Sequence, residues 1–245
     1  MAVQTASRAR KPVKRRAGGR KHHPWLRLVA LVLLILAGAL LLSILVFRFV
    51  NPPITPVMAV DKLKGATLRH QWVPLEKISP NLRLAVVASE DGRFCAHWGV
   101  DWAAVKAAVD AAHSLKGARG ASTIPMQTAK NLYLWNDRSY VRKAMEVPLA
   151  YLMTAIWPKR RMMEVYLNIA QWGPGIFGAE AASRYYFHKP AAALTRREAV
   201  LLAAALPNPR LRNPAKPGRR MLLVANAVEG RMPYMVRRAY CVLKH

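Results

Sequence analysis

A single long apolar run stands out in the pattern of hydrophobic and polar positions. Residues 28–47 read LVALVLLILAGALLLSILVF, and only Gly38 and Ser43 interrupt the apolar side chains. A helix of this length measures about 30 Å, which matches the hydrocarbon thickness of a bilayer. A cleaved signal peptide is the alternative, but its apolar core has about 7–15 residues and ends at a small-residue cleavage site, which is missing here. We therefore predict an uncleaved transmembrane helix over residues 28–48.

Beyond this run the pattern is mostly helical. Three prolines predict a stiff linker over residues 49–66, and one domain follows over residues 67–245. Apolar positions at helical spacing recur in residues 101–113, 138–157, 159–170 and 199–206. We expect a kink at Pro148 and a capping box between Thr195 and Glu198. Because alternating strand patterns are scarce, we predict a mainly α fold behind a single N-terminal transmembrane helix.

The charges beside the apolar run predict its orientation. Nine basic residues precede it, namely Arg8, Arg10, Lys11, Lys14, Arg15, Arg16, Arg20, Lys21 and Arg27. After the run, the segment up to the first prolines carries only Arg48. The positive-inside rule keeps the more basic flank in the cytoplasm. We therefore predict a basic cytoplasmic tail over residues 1–27 and a domain on the opposite side of the membrane.

Composition narrows the classes of partner. The chain has 39 Lys and Arg against 12 Asp and Glu, a formal net charge of +27, yet 53% of it is apolar, which excludes a disordered basic protein. A basic surface indicates nucleic acid, anionic lipid or a phosphorylated substrate. Because the predicted topology separates the domain from nucleic acid, we expect no nucleic-acid partner and favour a lipid or a lipid-linked phosphate. Two cysteines without a Cys-x-x-Cys pair exclude a structural zinc site.

Three polar segments could carry chemistry, although each also has a structural explanation. Residues 89–101 hold three acidic side chains, which is typical of a solvated helix end. Arg138, Arg142 and Glu146 recur every four residues, as in a surface ion-pair stripe. Residues 120–131 contain a Ser-Thr pair before a proline, as in a helix cap whose free N–H groups also suit an anion. Taken one at a time, the patterns favour the structural explanations.

Taken together and in order, the segments match a known set of motifs. The pattern Glu-Asp-x-x-Phe-x-x-His-x-Gly is met by Glu90, Asp91, Phe94, His97 and Gly99. The further matching blocks are Gly120 to Asn131, Arg142-Lys143-x-x-Glu146, Lys159 to Asn168, and Gly175 to Lys189. Over roughly residues 67–214 the chain resembles the peptidoglycan glycosyltransferases of family 51, the transglycosylase modules of bifunctional penicillin-binding proteins and their monofunctional relatives.

The resemblance implies a lysozyme-like helical glycosyltransferase domain. Two positions depart from the family pattern, since Ala121 replaces a glycine and His188 stands where glycine is usual. We expect these two departures to affect details of substrate binding more than the activity itself. No Ser-x-x-Lys, Ser-Asp-Asn or Lys-Thr-Gly motif occurs in the chain, so the resemblance is to the monofunctional, membrane-anchored form.

The resemblance also implies a reaction and its residues. Lipid-linked disaccharide-peptide (lipid II) would be polymerised into β-1,4 glycan strands of peptidoglycan, with release of undecaprenyl pyrophosphate. Glu90 would be the general base that takes the proton of the attacking sugar hydroxyl, and Glu146 the second catalytic carboxylate. The implied substrate-binding residues are Asp91, Phe94, His97, Gly120, Ser122, Thr123, Gln127, Lys130, Asn131, Arg138, Arg142, Lys143, Glu164 and Asn168. Their cations should stabilise the leaving pyrophosphate and hold both glutamates ionised.

Cofactor, partners and location follow from the same resemblance. The sequence requires no cofactor, and Glu146 would either orient the cations or hold a divalent cation, Mg²⁺ or Mn²⁺. The implied partners are lipid II, the growing glycan strand and inner-membrane lipids, with cell-wall synthases and division proteins as further candidates. The implied location is the bacterial inner membrane, crossed once, with a cytoplasmic N-terminus and a periplasmic catalytic domain.

Three other functions stay open on the sequence. A lysozyme-like lytic glycosidase also uses paired carboxylates, but it needs one of them kept protonated in an apolar pocket, and the cationic setting of Glu146 argues against that. A non-enzymatic, membrane-anchored protein that binds anionic lipid explains the charge but not the ordered polar segments. A nucleic-acid-binding protein requires the opposite topology.

The two cysteines add one structural prediction. Cys95 and Cys241 lie beyond the predicted helix, in an oxidising compartment if the topology is right. They either form a disulfide or remain buried apolar thiols, and we favour the disulfide. In the entropy model a loop of this length gives about 4–5 kcal/mol of stabilisation. The bond would also hold the C-terminal tail beside the Glu90 segment.

Overall fold

A computed structural model describes residues 24–112, 121–137 and 139–243. Most of the basic tail, the loop with Gly120, and Arg138 lie outside the described residues. The helices in chain order are α1 (Pro24–Phe47), α2 (Pro56–Leu63), α3 (Pro80–Glu90), α4 (Trp102–Ala112), α5 (Ile124–Tyr133), α6 (Tyr140–Ile156), α7 (Lys159–Ile169), α8 (Ala179–Phe187), α9 (Arg196–Ala205), α10 (Arg219–Met235) and α11 (Tyr240–Leu243). Three short strands are β1 (Arg69–His70), β2 (Gln171–Gly173) and β3 (Ile176–Phe177). The mainly α prediction is confirmed.

The apolar run forms one continuous helix, α1. Its most apolar window has a mean hydropathy of 3.1, and the helix is long and apolar enough to cross a membrane. Within the described residues it runs from Pro24, four residues before the apolar run, to Phe47. The chain divides into two compact units, residues 1–42 and Ser43–His245. The last residues of α1 therefore belong to the larger unit, where Trp157 Nε1 donates to the Ile44 carbonyl at 2.7 Å.

The region predicted as a linker differs from that expectation, because it contains α2. Thr55 caps this helix by accepting from the Met58 N–H at 3.3 Å, and Pro56 occupies the first turn. Met58 is only 2% exposed, and Asp61 is buried where it accepts from Gln171 and Arg210. The prolines therefore start a packed helix instead of a solvated spacer.

Helices packed on helices form the core of the larger unit. The helix that ends at Glu90, α3, lies against α9 and α10, while α5 lies between α6 and α7. Every residue of α9 from Ala199 to Ala205 is buried. The predicted capping box is present, since Thr195 and Glu198 bond each other's backbone at the start of α9. Helix α6 continues past Pro148 as one helix that ends at Ile156.

A small sheet lies beside the helices in the order β1-β3-β2, with β1 parallel and β2 antiparallel to β3. Gly178, which links β3 to α8, has φ +86, and a Cβ there would lie 2.7 Å from the Asn168 carbonyl oxygen. Only glycine fits both the backbone angle and the space. At the other end of α8, His188 adopts a left-handed φ of 56 as the C-cap. The departure at His188 therefore affects a helix end, where glycine is the unstrained residue.

The disulfide prediction is confirmed. Cys95 and Cys241 are bonded, with their Cα atoms 5.8 Å apart. Cys241 lies in α11, next to Val242, whose carbonyl accepts from the buried guanidinium of Arg83 at 2.8 Å. Since Arg83 is in α3, the bond and this contact both hold the C-terminal helix against the segment that carries Glu90.

Replacing both cysteines with serine is expected to lower the free energy of unfolding by about 2–5 kcal/mol, because the unfolded chain loses a long-range constraint. Denaturant unfolding of the full chain in detergent measures the difference. Wild-type protein treated with a reductant is the control and should unfold at the midpoint of the Cys95→Ser/Cys241→Ser variant. Equal midpoints for the oxidised wild type and the variant would show that the disulfide does not stabilise the folded protein.

Candidate active site

Glu90 is the last residue of α3, and its carboxylate is held by two donors. Ser89 Oγ donates to Oε1 at 2.9 Å, and Gln127 Nε2 donates to Oε2 at 3.0 Å. Burial raises the pKa of Glu90 above the ordinary value, with the nearby Asp91 charge adding to the rise. Lys130 and the two hydrogen bonds act in the opposite direction but do not cancel the desolvation. Burial therefore has a larger effect on the pKa of Glu90 than the neighbouring cation does, which reverses the direction of the expected shift.

The orientation of Gln127 is set by Tyr166 from α7. Tyr166 donates its hydroxyl to Gln127 Oε1 at 3.0 Å, which leaves the amide nitrogen to face Glu90. Burial raises the pKa of Tyr166 well above its ordinary value, so the phenol stays protonated as a donor. Sequence reasoning placed Tyr166 in a matching block but gave it no role. Its only signal there was an aromatic residue with a hydroxyl beside Glu164 and Asn168.

Asp91, Phe94 and His97 form the frame beneath Glu90. The buried Asp91 carboxylate accepts from His97 Nε2 and from the Ile124 N–H, both at 2.9 Å, so it joins the end of α3 to the start of α5. Phe94 is fully buried, and His97 is 8% exposed. Instead of facing open space as substrate contacts would, these three side chains hold the loop that follows Glu90.

Lys159 completes this frame, and sequence reasoning gave it no role either. Its ammonium group donates to the His97 carbonyl at 2.6 Å and lies 4.7 Å from the centre of the Phe94 ring. Burial lowers the pKa of Lys159 to about 8, against the opposing attraction of Asp91. A lysine at the start of α7 thus carries a charge beneath the loop between Glu90 and α4.

Glu146 lies at the centre of a cationic cluster on α6. It is 1% exposed, so the surface-stripe explanation does not apply to it. Arg142 bonds Oε1, while Lys143 bonds Oε2 at 2.9 Å and also reaches the Ser122 hydroxyl. Lys130 on α5 has its pKa lowered by burial, with the Glu146 charge as the main opposing influence. Glu146 therefore binds two cations directly, and a third, Lys130 in the last turn of α5, lies close enough to feel its charge.

This donor set does not fit a divalent cation. No group of three or more His, Cys, Asp or Glu side chains suited to a metal occurs in residues 24–112, 121–137 and 139–243. Both oxygens of Glu146 are already bound to Arg142 and Lys143, and a third cation lies nearby. A metal ion would need to displace these side chains against their charge. We therefore assign Glu146 the first of its two predicted roles, the orientation of cations.

Glu164, Asn168 and Thr123 are engaged by the fold itself. Glu164 accepts from the Leu75 N–H at 3.1 Å and from Arg161. Asn168 is fully buried, and its amide bonds both backbone groups of Val73 at 2.9 Å. Thr123 caps α5. Sequence reasoning placed these polar residues among substrate contacts because buried structural hydrogen bonding has no signature of its own in the chain.

Beside Glu90 and the cationic cluster lies a cavity of about 140 Å³, called the inner cavity here. Its lining includes Gln127, Lys130, Asn131, Tyr166, Gln171, Leu206, Pro207 and Pro209. Gln127, which bonds Glu90, and Lys130, which lies near Glu146, therefore face the same cavity. A sugar and an attached phosphate placed there would meet the amides of Gln127 and Asn131 and the ammonium group of Lys130.

Comparisons with known proteins show the family of the chain. The sequence model of the transglycosylase family matches residues 58–236. A biosynthetic peptidoglycan transglycosylase of Rhodospirillum centenum is 52% identical over 224 residues, which are 89% of this chain and 96% of that protein. Proteins of the same name from Brucella suis and Agrobacterium fabrum are 50% and 48% identical, covering 82% and 83% of this chain and 89% and 90% of theirs. The chain belongs to the transglycosylase family.

Proposed function

We propose that this protein is a peptidoglycan glycosyltransferase. It polymerises lipid II into β-1,4 glycan strands and releases undecaprenyl pyrophosphate. The observation that carries the proposal is the half-buried Glu90 carboxylate, held by Gln127 beside an inner cavity whose wall includes Lys130. The family match and the names of the relatives support the same reaction.

In the proposed step, the 4-hydroxyl of one disaccharide attacks the anomeric carbon of the strand. The bond from that carbon to the pyrophosphate oxygen breaks as the new glycosidic bond forms, and the hydroxyl proton passes to Glu90. In its ionised form, a carboxylate whose pKa is raised, as that of Glu90 is, is a stronger base than an exposed carboxylate. The leaving pyrophosphate takes the electron pair and needs positive charge more than a proton.

Lys143, Arg142 and Lys130 supply that positive charge in our proposal. Glu146 holds the first two in place, and Ser122 fixes the Lys143 ammonium on its other side. A cluster whose geometry is set before the reaction needs little reorganisation when the leaving group becomes charged. Gln127 and Asn131 are proposed to bind sugar and phosphate oxygens in the inner cavity.

The membrane placement is also part of the proposal. Helix α1 would anchor the enzyme in the inner membrane, with the basic tail in the cytoplasm and the domain in the periplasm. The Cys95–Cys241 disulfide supports an oxidising compartment for the domain. Cell-wall synthases and division proteins remain candidate partners.

One assay tests the function directly. The full chain in detergent is mixed with labelled lipid II, and the products are separated by length. We expect a ladder of glycan polymers that a muramidase digests. Cleavage of preformed strands without polymer formation would instead indicate a lytic glycosidase, and an unchanged substrate would indicate a protein that only binds lipid. Either result would overturn the proposal.

A further inference from the structure

Arg161, in the first turn of α7, holds the end of helix α1 and the residues that follow it. The last carbonyls of a helix have no partner within that helix, so other groups must bond them. Residues 43–51, called the exit segment here, lie in the larger unit. Arg161 donates to the Phe47 carbonyl of this segment at 2.9 and 3.0 Å and to its Val50 carbonyl at 2.7 Å. One guanidinium group therefore fixes the direction in which the chain leaves α1.

The guanidinium of Arg161 is itself held from several sides. It donates to Asn51 Oδ1 at 2.9 Å and to the Glu164 carboxylate, and it lies 5.3 Å from the centre of the Trp72 ring. Glu164 in turn accepts from the Leu75 N–H at 3.1 Å. The Arg161 side chain is only 12% exposed. These contacts use the rigid, planar fork of donors that distinguishes arginine from lysine, so a positive charge alone would not reproduce them.

The exit segment also contacts the helices that carry the candidate active site. Ser43 Oγ donates to the Tyr133 hydroxyl at the end of α5 at 3.3 Å. Arg48 donates to the Ile156 carbonyl at the end of α6, and Arg161 belongs to α7. In this order the three helices carry Gln127 and Lys130, then Glu146, then Tyr166. The end of α1 and the site are therefore connected through the same three helices.

The exit segment has the side chains of a membrane boundary. The apolar run ends at Phe47, and the charged Arg48 follows it. Although they are apolar, Phe49, Val50 and Ile54 are 79%, 54% and 50% exposed. Exposed apolar residues beside a charge suit the boundary between the hydrocarbon and the headgroups of a bilayer. The pyrophosphate of lipid II lies at the same boundary, because its long apolar tail stays in the hydrocarbon.

We propose that Arg161 is a positioning residue that joins the catalytic domain rigidly to the end of the membrane helix and so keeps the cationic cluster at the level of the lipid II pyrophosphate. The inference rests on the proposed function, because it concerns how the same site reaches a substrate confined to the membrane. Without Arg161 the exit segment would become a flexible tether. The domain would then present its site at this level for only a fraction of the time, and the rate would fall by that fraction.

A comparison of two media tests this proposal. The full chain is assayed with lipid II in vesicles, whose surface is extended and nearly flat, and in detergent micelles, whose small surface adapts to the protein. In vesicles Arg161→Ala is expected to polymerise about tenfold or more slowly than the wild type, since small misplacements of reacting groups cost up to about a hundredfold. In detergent its rate should stay within about twofold of the wild type, because the substrate can follow the domain. Equal losses in both media would overturn the proposal.

Two further single variants are the controls. Arg160→Ala changes the neighbouring arginine, which pairs with Glu76 on the surface, and it should match the wild type in both media. Arg161→Lys keeps the charge but loses the planar fork, so it should recover only part of the rate in vesicles. Full recovery with lysine would overturn the assignment to the backbone carbonyls of the exit segment.

A double variant guards against a general loss of stability. Arg161→Ala leaves the Glu164 carboxylate, whose side chain is 18% exposed, without this partner, which is expected to lower the melting temperature. In Arg161→Ala/Glu164→Gln the amide removes that charge and still offers an oxygen to the Leu75 N–H. The double variant should show the same difference between vesicles and detergent. Equal rates in vesicles for the double variant and the wild type would overturn the proposal.

Hydrogen exchange tests the rigid connection without catalysis. The N–H groups of Arg48 and Val50 bond the carbonyls of Ile44 and Val46 at 3.2 and 2.9 Å. In vesicles without substrate, these amides should exchange about tenfold or more faster in Arg161→Ala than in the wild type or Arg160→Ala. Unchanged exchange would overturn the proposal. If the wild type made no polymer in either medium, the proposed function would fail, whereas exchange would still decide whether Arg161 holds the exit segment.

Discussion

Replacing Glu90 with glutamine is expected to reduce polymerisation by about 10²–10⁴-fold, the usual contribution of general base catalysis. The amide keeps the size of the side chain and can still bond Ser89 and Gln127, but it cannot take the proton of the attacking hydroxyl. Binding of lipid II should stay close to the wild-type affinity. Initial rates and a separate binding titration with the full chain in detergent measure the two effects.

The same variant is expected to be more stable than the wild type at pH 7. Because burial raises the pKa of Glu90, the folded state binds a proton more tightly than the unfolded state. Stability contributed by this group is therefore present below the ordinary carboxyl pKa and is lost as the pH rises through the raised value. Glutamine removes the cost of burying the charge, so the gain in melting temperature should vanish at acidic pH.

A matched control for this substitution is Glu76→Gln, which changes an exposed glutamate paired with Arg160 on the surface. It should leave both the polymerisation rate and the melting temperature close to the wild-type values. The assignment of Glu90 would fail if the Glu90→Gln variant turned over at the wild-type rate. A lower melting temperature at pH 7 would contradict the view that desolvation dominates its pKa.

Replacing Lys143 with alanine is expected to slow polymerisation by about 10–150-fold, because a charged hydrogen bond to the leaving pyrophosphate is worth about 1.5–3 kcal/mol. The Lys143 side chain is 40% exposed but that of Glu146 is 2% exposed, so loss of this ion pair should also lower the melting temperature. Glu146 also retains Arg142 as a partner. Rates at saturating and limiting lipid II, together with thermal unfolding, separate the two effects.

Lys106→Ala is the appropriate comparison for Lys143→Ala. Lys106 pairs with Asp110 one turn along α4, and both side chains are well exposed. The control should change neither the rate nor the melting temperature appreciably. If Lys143→Ala left the rate unchanged as the control does, the cluster on α6 would have only a structural role, as the spacing alone first indicated.

Local features of the sequence predicted local features of the fold. The capping box at Thr195 and the helix that follows depend on residues within one turn of each other, and the structure contains both. The apolar helix α1 follows from an uninterrupted run in the same way. The structure of residues 49–66 could not be predicted from the sequence, because prolines are typical of a loop and also suit the first turn of a helix. The burial of Met58 and Asp61 decides between them, and this depends on residues far along the chain.

The roles of polar residues could be predicted only as a set. The order of the motifs indicated Glu90, Gln127 and Glu146 as site residues, and all three lie in the candidate site. The same motifs also contain Asp91 and Asn168, which are buried and bond the backbone. A motif contains both catalytic and structural residues, so residue type and spacing do not distinguish the two kinds. Burial and hydrogen-bond partners in the structure distinguish them.

By itself the sequence determined the mainly helical class, the apolar helix near the N-terminus and the order of the polar segments, because these depend on composition and on short-range spacing. The bond between Cys95 and Cys241, 146 positions apart, was favoured by the sequence but decided by the tertiary structure. Only the tertiary structure decided the protonation balance at Glu90. Its carboxylate is desolvated by packed helices and bonded by Gln127, 37 positions away, whose own orientation depends on Tyr166, a further 39 positions along. Desolvation is a property of the whole fold, and its effect on a pKa therefore appears only when distant segments are brought together.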